Sequence, residues 1–146
     1  MPVRIQTDDF DIGAELAALC AGRDDIGALV TFSGLVRGGD ITAMTLEHYP
    51  GMTEKALQKI EAAALARWSL KATLIVHRVG RLLPGERIVL VTAASESRHA
   101  AFEAAAFLMD YLKTDAPFWK NEERADGTSA WVDAREADDS TKARWV

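Results

Sequence analysis

Lys113 and Lys120 lie on either side of Pro117, so two primary amines are separated by a residue that a helix cannot continue through. Amines brought close in space lower one another's pKa, which makes one of them a proton donor or acceptor near neutral pH. At ~100° per residue, Lys113 falls within ~20° of Phe102 and Ala106 and ~40° from Met109, so it continues what reads as a buried stripe. A lysine there is either a functional amine or a helix-end cation that complements the dipole and lays its stem over apolar surface. Lys120, beside Phe118 and Trp119, is either a desolvated amine or an ordinary surface cation. Arg37 ends an apolar run and enters Gly38-Gly39. A guanidinium followed by flexible backbone amides suits a phosphate, and it equally suits a solvated strand end. Arg98 falls at a helix start, where the dipole disfavours a cation, which points to an anion or an interface elsewhere. Arg135 follows the last expected strand and fits a pocket or solvent equally well.

Other chemistries are poorly represented. The histidines His48, His77 and His99 show no i+3 or i+4 pairing, so no metal site is expected, and His48 and His77 read as structural. Cys20, the single cysteine, sits among Leu16, Ala17 and Leu19 and reads as a buried, inert thiol. No Cys-x-x-Cys, G-x-S-x-G, P-loop or G-x-G-x-x-G occurs, which argues against common hydrolases, P-loop kinases and Rossmann dehydrogenases.

The elements that must position these side chains follow from periodicity. Val3–Thr7 alternates as a short strand, and Ile12–Ala21 has helical spacing behind an aspartate cap. Ile26–Arg37 reads as a strand with a bulge at Gly34. Ile41–His48 reads as another, and the short intervening loop predicts a hairpin between the two. Helices are expected over Thr53–Trp68 and Ser97–Lys113. Ala72–Val79 and Arg87–Ala94 read as strands around a Pro84-Gly85 loop, and Phe118–Arg124 and Ala130–Val132 as a last short pair. The mixed order predicts an α+β class, with residues 1–146 as a single domain and 138–146 as a charged, mobile tail.

The 146 residues suit one domain, and the net charge of -5 argues against nucleic acid as a partner. No apolar run approaches the ~18 residues of a membrane span and no secretory signal is visible, so a cytoplasmic protein is expected.

Five segments carry a family resemblance: Thr31–Arg37 (TFSGLVR), Thr45–Met52 (TLEHYPGM), His77–Gly80 (HRVG), Met109–Lys120 (MDYLKTDAPFWK) and Trp131–Glu136 (WVDARE). In order and spacing the chain, from about Ile26 to the tail, resembles the large, catalytic subunits of molybdopterin synthase. The resemblance implies an α/β-hammerhead-type domain with an additional small antiparallel sheet. It implies a homodimer that becomes a heterotetramer by binding two small ubiquitin-like sulfur carriers, and no cofactor. The carrier's C-terminal Gly-Gly thiocarboxylate would enter a pocket, and sulfur would pass to cyclic pyranopterin monophosphate to form the dithiolene of molybdopterin. Lys113 matches the family lysine beside the carrier tail and Lys120 the second active-site lysine. Arg37 and Arg135 match substrate-pocket arginines, and Phe32 and Met109 its apolar lining. Arg98 matches an arginine reaching in from the other subunit. Because sulfur would arrive on the partner, Cys20→Ala is expected to leave activity intact.

The chain departs from the family twice. Ser97-Arg98 stands where the family usually has His-Arg, and His99 takes the histidine's role only with a shifted helix start. The Gly38–Thr42 loop is also short beside the expected substrate pocket. Two other readings remain open: a non-catalytic module that captures a ubiquitin-like tail, and a small-anion-binding protein with no protein partner. A docking module has no need of both lysines together with the arginines.

Overall fold

The computed structural model describes residues 3–132 and 142–145. The elements run β1 (Val3–Gln6), α1 (Ile12–Cys20), β2 (Ala28–Leu35), β3 (Ile41–His48), α2 (Met52–Arg67), β4 (Leu70–Arg78), β5 (Gly80–Leu82), β6 (Arg87–Ser95), α3 (Arg98–Asp115), β7 (Phe118–Arg124) and β8 (Ser129–Val132). This is an α+β arrangement with two four-stranded sheets, ordered β1-β4-β6-β2 and β5-β3-β7-β8. The first is mixed, since β1 runs parallel to β4 and the other pairs are antiparallel. The second is antiparallel throughout.

The first sheet carries the larger core. On one face Leu57, Ile60 and Ala64 of α2 and Phe107, Leu108 and Leu112 of α3 pack over Ile75, Val89 and Val91. On the other, Phe10 with Ile12 and Leu19 of α1 covers Leu74, Val76 and Leu90. The alternation of Leu74, Ile75 and Val76 between the two faces is the period-2 pattern of a strand buried on both sides. Val36, Met44, Leu46 and Leu82 form a separate core for the second sheet.

Local signals act where the sequence placed them. The Asp11 carboxylate accepts the Ala14 N–H at 2.8 Å and caps α1. The register of β2 against β6 shifts between Gly34 and Leu35, at the expected bulge. Three expectations are corrected. Strands β2 and β3 do not form a hairpin, because the bulge turns the chain out of one sheet and β3 pairs with β5 and β7 in the other. The segment after β4 is partly a strand: only Val79 separates β4 from β5, with Gly80 at φ 96 where the chain changes sheet. The buried residues of α3 are Ala101, Ala104, Ala105, Phe107, Leu108 and Leu112, whereas Phe102 is 62% exposed. Apolar residues surround most of that helix, so the Phe102–Lys113 line borders the core instead of lying in it.

Of the tail expected to be mobile, residues 142–145 are described, and Trp145 packs edge-on against Trp68 and Phe107.

Candidate active site

The two segments that hold most of the distinctive residues, Thr45–Met52 and Met109–Lys120, lie side by side in space. In the β3·β7 ladder His48 stands opposite Phe118, Glu47 opposite Trp119 and Leu46 opposite Lys120. Thr53, fully buried, locks them: its Oγ1 donates to the Pro117 carbonyl at 2.9 Å and accepts the Tyr49 N–H at 2.9 Å. The turn from α3 into β7, between the two lysines, is thereby fixed to the start of α2.

Between the two sheets and the C-terminal end of α3 lies a cleft of about 890 Å³. Lys113 reaches it from the last turn of α3, Lys120 from β7, Arg37 from the end of β2, and Phe32 from β2 itself. Four of the residues singled out in the sequence thus converge, although they come from three elements. Phe118, Lys120, Glu122 and Arg124 all line it, because alternate residues of a strand share a face. Strand periodicity counted from Lys120 would have found Glu122 and Arg124, which the sequence reading missed.

The cleft has an excess of positive charge, with Arg37, Lys113, Lys120 and Arg124 against Asp40 and Glu122. Arg124 is paired with Asp40 and lies 3.7 Å from Glu122 Oε1. Lys120 Nζ lies 4.0 Å from Glu122 Oε2, so one carboxylate serves both cations. Arg37 is exposed and has no ion pair among the described residues. An arrangement of this kind holds anions and stabilises negative charge developing on a bound reactant.

His77 forms part of the wall and was read from the sequence only as structural. It is 5% exposed and stacks on Phe118, with ring centroids 3.8 Å apart. Its Nδ1 lies 2.8 Å from the Arg78 carbonyl, which can only accept, so Nδ1 carries the proton. Burial pushes its pKa down to about 4, and the charges of Lys113 and His48 act in the same direction. The ring is therefore neutral at physiological pH and contributes no charge.

Among the described residues, the other expected site residues stand outside the cleft lining. Met109 is half-buried against the main core and is not in the cleft wall. Arg98 opens α3, ~22 Å along the helix from Lys113, and is exposed. His99 is exposed, with Nε2 3.9 Å from Glu103 Oε1 one turn on. Ser97 is the α3 N-cap, but its side chain makes no capping bond. Arg135 lies outside the described residues. Among the described residues no group of His, Cys, Asp and Glu has the arrangement of a metal site.

A family model described as "MoaE protein" matches residues 5–115. A protein named molybdopterin synthase catalytic subunit, from Mesorhizobium japonicum, is 56% identical over 98% of this chain and 92% of its own length. The chain belongs to the family of molybdopterin synthase catalytic subunits. Solved structures agree with this membership. The molybdopterin biosynthesis MoaE protein from Burkholderia ambifaria superposes with a TM-score of 0.85 at 57% identity, covering 99% of this chain and 98% of its own. A complex of subunits 1 and 2 of molybdopterin-converting factor from Helicobacter pylori shares the fold at 22% identity, with a TM-score of 0.75 over 93% of this chain and 92% of its own. In this chain, residues of the distinctive segments Thr31–Arg37 and Met109–Lys120 line the cleft, Lys113 and Lys120 among them.

Proposed function

We propose that the chain works as the sulfur-transferring subunit of a molybdopterin synthase and that the cleft is where the transfer occurs. The observation that carries this reading is the convergence of Lys113 and Lys120, from a helix end and a neighbouring strand, on one positively charged cleft beside Arg37. The carrier's C-terminal thiocarboxylate and cyclic pyranopterin monophosphate are both anions, and a cleft with excess cations holds the two together. Lys113 sits beside the incoming tail, and Lys120 serves as the second active-site amine. Their ammonium groups offset the charge of sulfur, carboxylate and phosphate, and supply or accept protons at the carbons that gain sulfur. Arg37 takes the substrate phosphate, and Phe32 gives the pterin an apolar surface.

The carrier is a small ubiquitin-like subunit, in keeping with the two-subunit complex named for the Helicobacter pylori relative. Two large subunits pair, with Arg98 of each serving the other's cleft. Supporting this are Leu29 and Leu35 on the edge strand β2 and Phe102 on α3, apolar residues left exposed within one chain. The α/β-hammerhead description, the single domain over residues 1–146, the pocket role of Arg135 and a cytoplasmic location belong to the same reading. No helix among the described residues is long and apolar enough to cross a membrane.

Reconstitution tests the proposal. The protein is mixed with thiocarboxylated carrier and cyclic pyranopterin monophosphate, and molybdopterin formation is followed. Lys113→Ala and Lys120→Ala should each lose on the order of 100-fold or more in rate while still binding the carrier. Absence of product from the wild-type protein, with the carrier bound, would leave a docking module instead of an enzyme.

A further inference from the structure

Arg37 is attached to a turn far away in the sequence. The Val36 N–H donates to the Glu86 carbonyl at 2.9 Å, and the Gly85 N–H donates back to the Val36 carbonyl at 2.8 Å. Gly38, on the other side of Arg37, lies so close to Pro84 that an added Cβ would stand 3.4 Å from the proline Cβ. The Leu83–Glu86 turn therefore backs the cleft rim on both sides of Arg37.

That turn is shaped by one carboxylate. Glu86 Oε2 accepts the Leu83 N–H at 2.6 Å, and the Glu86 N–H donates to the Leu83 carbonyl at 3.0 Å. Glu86 Oε1 lies 3.5 Å from Nη1 of Arg78, whose side chain is only 8% exposed. Arg78 is itself held: Nε and Nη2 donate to the Thr7 carbonyl at 3.1 and 3.0 Å, and Nη1 donates to the Arg87 carbonyl at 3.1 Å. A buried guanidinium bound to two main-chain carbonyls is a rigid anchor. The chain of contacts runs from β4 through Arg78, Glu86 and the turn to the backbone that flanks Arg37. Arg78, Glu86 and the rest of the turn stand outside the cleft lining, whereas Val36, Arg37 and Gly38 belong to it.

We propose that Glu86, anchored by Arg78, is a positioning residue that holds the Arg37 backbone where its guanidinium meets the anionic group of the substrate. The inference rests on the reading of Arg37 as a substrate-binding residue. Arg37 is exposed and forms no ion pair among the described residues, so among them it is the backbone from which it projects that places it. Fixing that backbone lowers the ordering cost of binding, and the effect falls on substrate affinity instead of on the chemical step.

The test is a double-mutant cycle on the full chain with its thiocarboxylated carrier, reading KM and kcat for cyclic pyranopterin monophosphate. Glu86→Ala should raise KM about tenfold and leave kcat within about twofold. Glu86→Gln keeps an acceptor for the Leu83 N–H and should recover most of the affinity. In an Arg37→Ala background, Glu86→Ala should add less than about twofold, because the group it positions is gone. Pro84→Gly loosens the same turn without touching Arg78, and should also raise KM if Glu86→Ala fails to fold. Equal KM increases from Glu86→Ala with and without Arg37, or an unchanged KM in Pro84→Gly, would overturn the positioning role alone. An unchanged KM in Arg37→Ala would remove the substrate reading of Arg37 and the inference with it.

Discussion

His77 lies flat against Phe118, with the planes of the two rings 16° apart, and the pair joins the first sheet to the second. The stack forms part of the wall of a cleft where cations gather, and its imidazole adds no further positive charge there.

That neutrality predicts an acid sensitivity. The folded ring titrates at about 4 against an ordinary value of 6.5. Between those values the unfolded chain binds a proton that the folded one refuses, so stability falls as pH drops through the window and is intact above it. The full effect amounts to roughly 3 kcal/mol at most. Urea unfolding of the wild type and His77→Gln across this window should show a shallower pH slope in the variant. Parallel slopes would refute the assignment.

Glu61 has the opposite dependence. It is 7% exposed, and burial raises its pKa against the opposing hydrogen bond from Thr73 Oγ1 at 2.6 Å. A carboxyl whose folded pKa is raised costs stability as pH rises through that value, and the cost is absent below the ordinary value of 4.5. Glu61→Gln keeps an acceptor for Thr73 and removes the charge. Its unfolding midpoint should exceed that of the wild type at neutral pH, and the advantage should vanish in acid. A variant less stable at neutral pH would contradict this account.

Trp145 fastens the end of the described chain to the helices. Its Nε1 donates to Asp110 Oδ2 at 2.6 Å and its carbonyl accepts from Arg67 Nη1 at 2.8 Å. Lys142 and Arg144 add ion pairs to Asp115 and Asp110. Trp145→Ala should cost about 2 kcal/mol, less than a fully buried tryptophan, and Trp145→Phe about half of that. Denaturant titration measures both, and an unchanged midpoint in Trp145→Ala would show the packing to be energetically idle.

Much of the architecture was legible because single segments carry their own signals. The Asp11 cap, the bulge at Gly34 and the stop at Pro117 act locally, and each ends or bends an element where expected. Pairing was harder to read. Loop length suggested that β2 and β3 meet, but partners are chosen by which core each strand completes, and Val36 and Met44 complete one that the sequence does not announce. The three-residue β5 is too short to show periodicity. On α3, apolar residues on several sides concealed which face turns inward. The lysines and Arg37 were singled out by position and neighbours and given roles by segment resemblance, and Phe32 was found through the resemblance alone. Glu122 and Arg124 were within reach of strand periodicity from Lys120, whereas His77 required the packing of one sheet on the other, which stacks its ring on Phe118.

The passage from β4 to β5 has a consequence for molecular discrimination. A single residue, Val79, separates a strand of one sheet from a strand of the other, and its N–H is bonded to the Gln6 carbonyl at 2.9 Å. The two walls of the cleft are thus hinged like covers on a stiff spine, with no slack chain at the joint. The gape between them is built into the backbone at Val79 and Gly80. A guest too bulky for the opening is refused by the frame itself before any lining side chain has tested its chemistry.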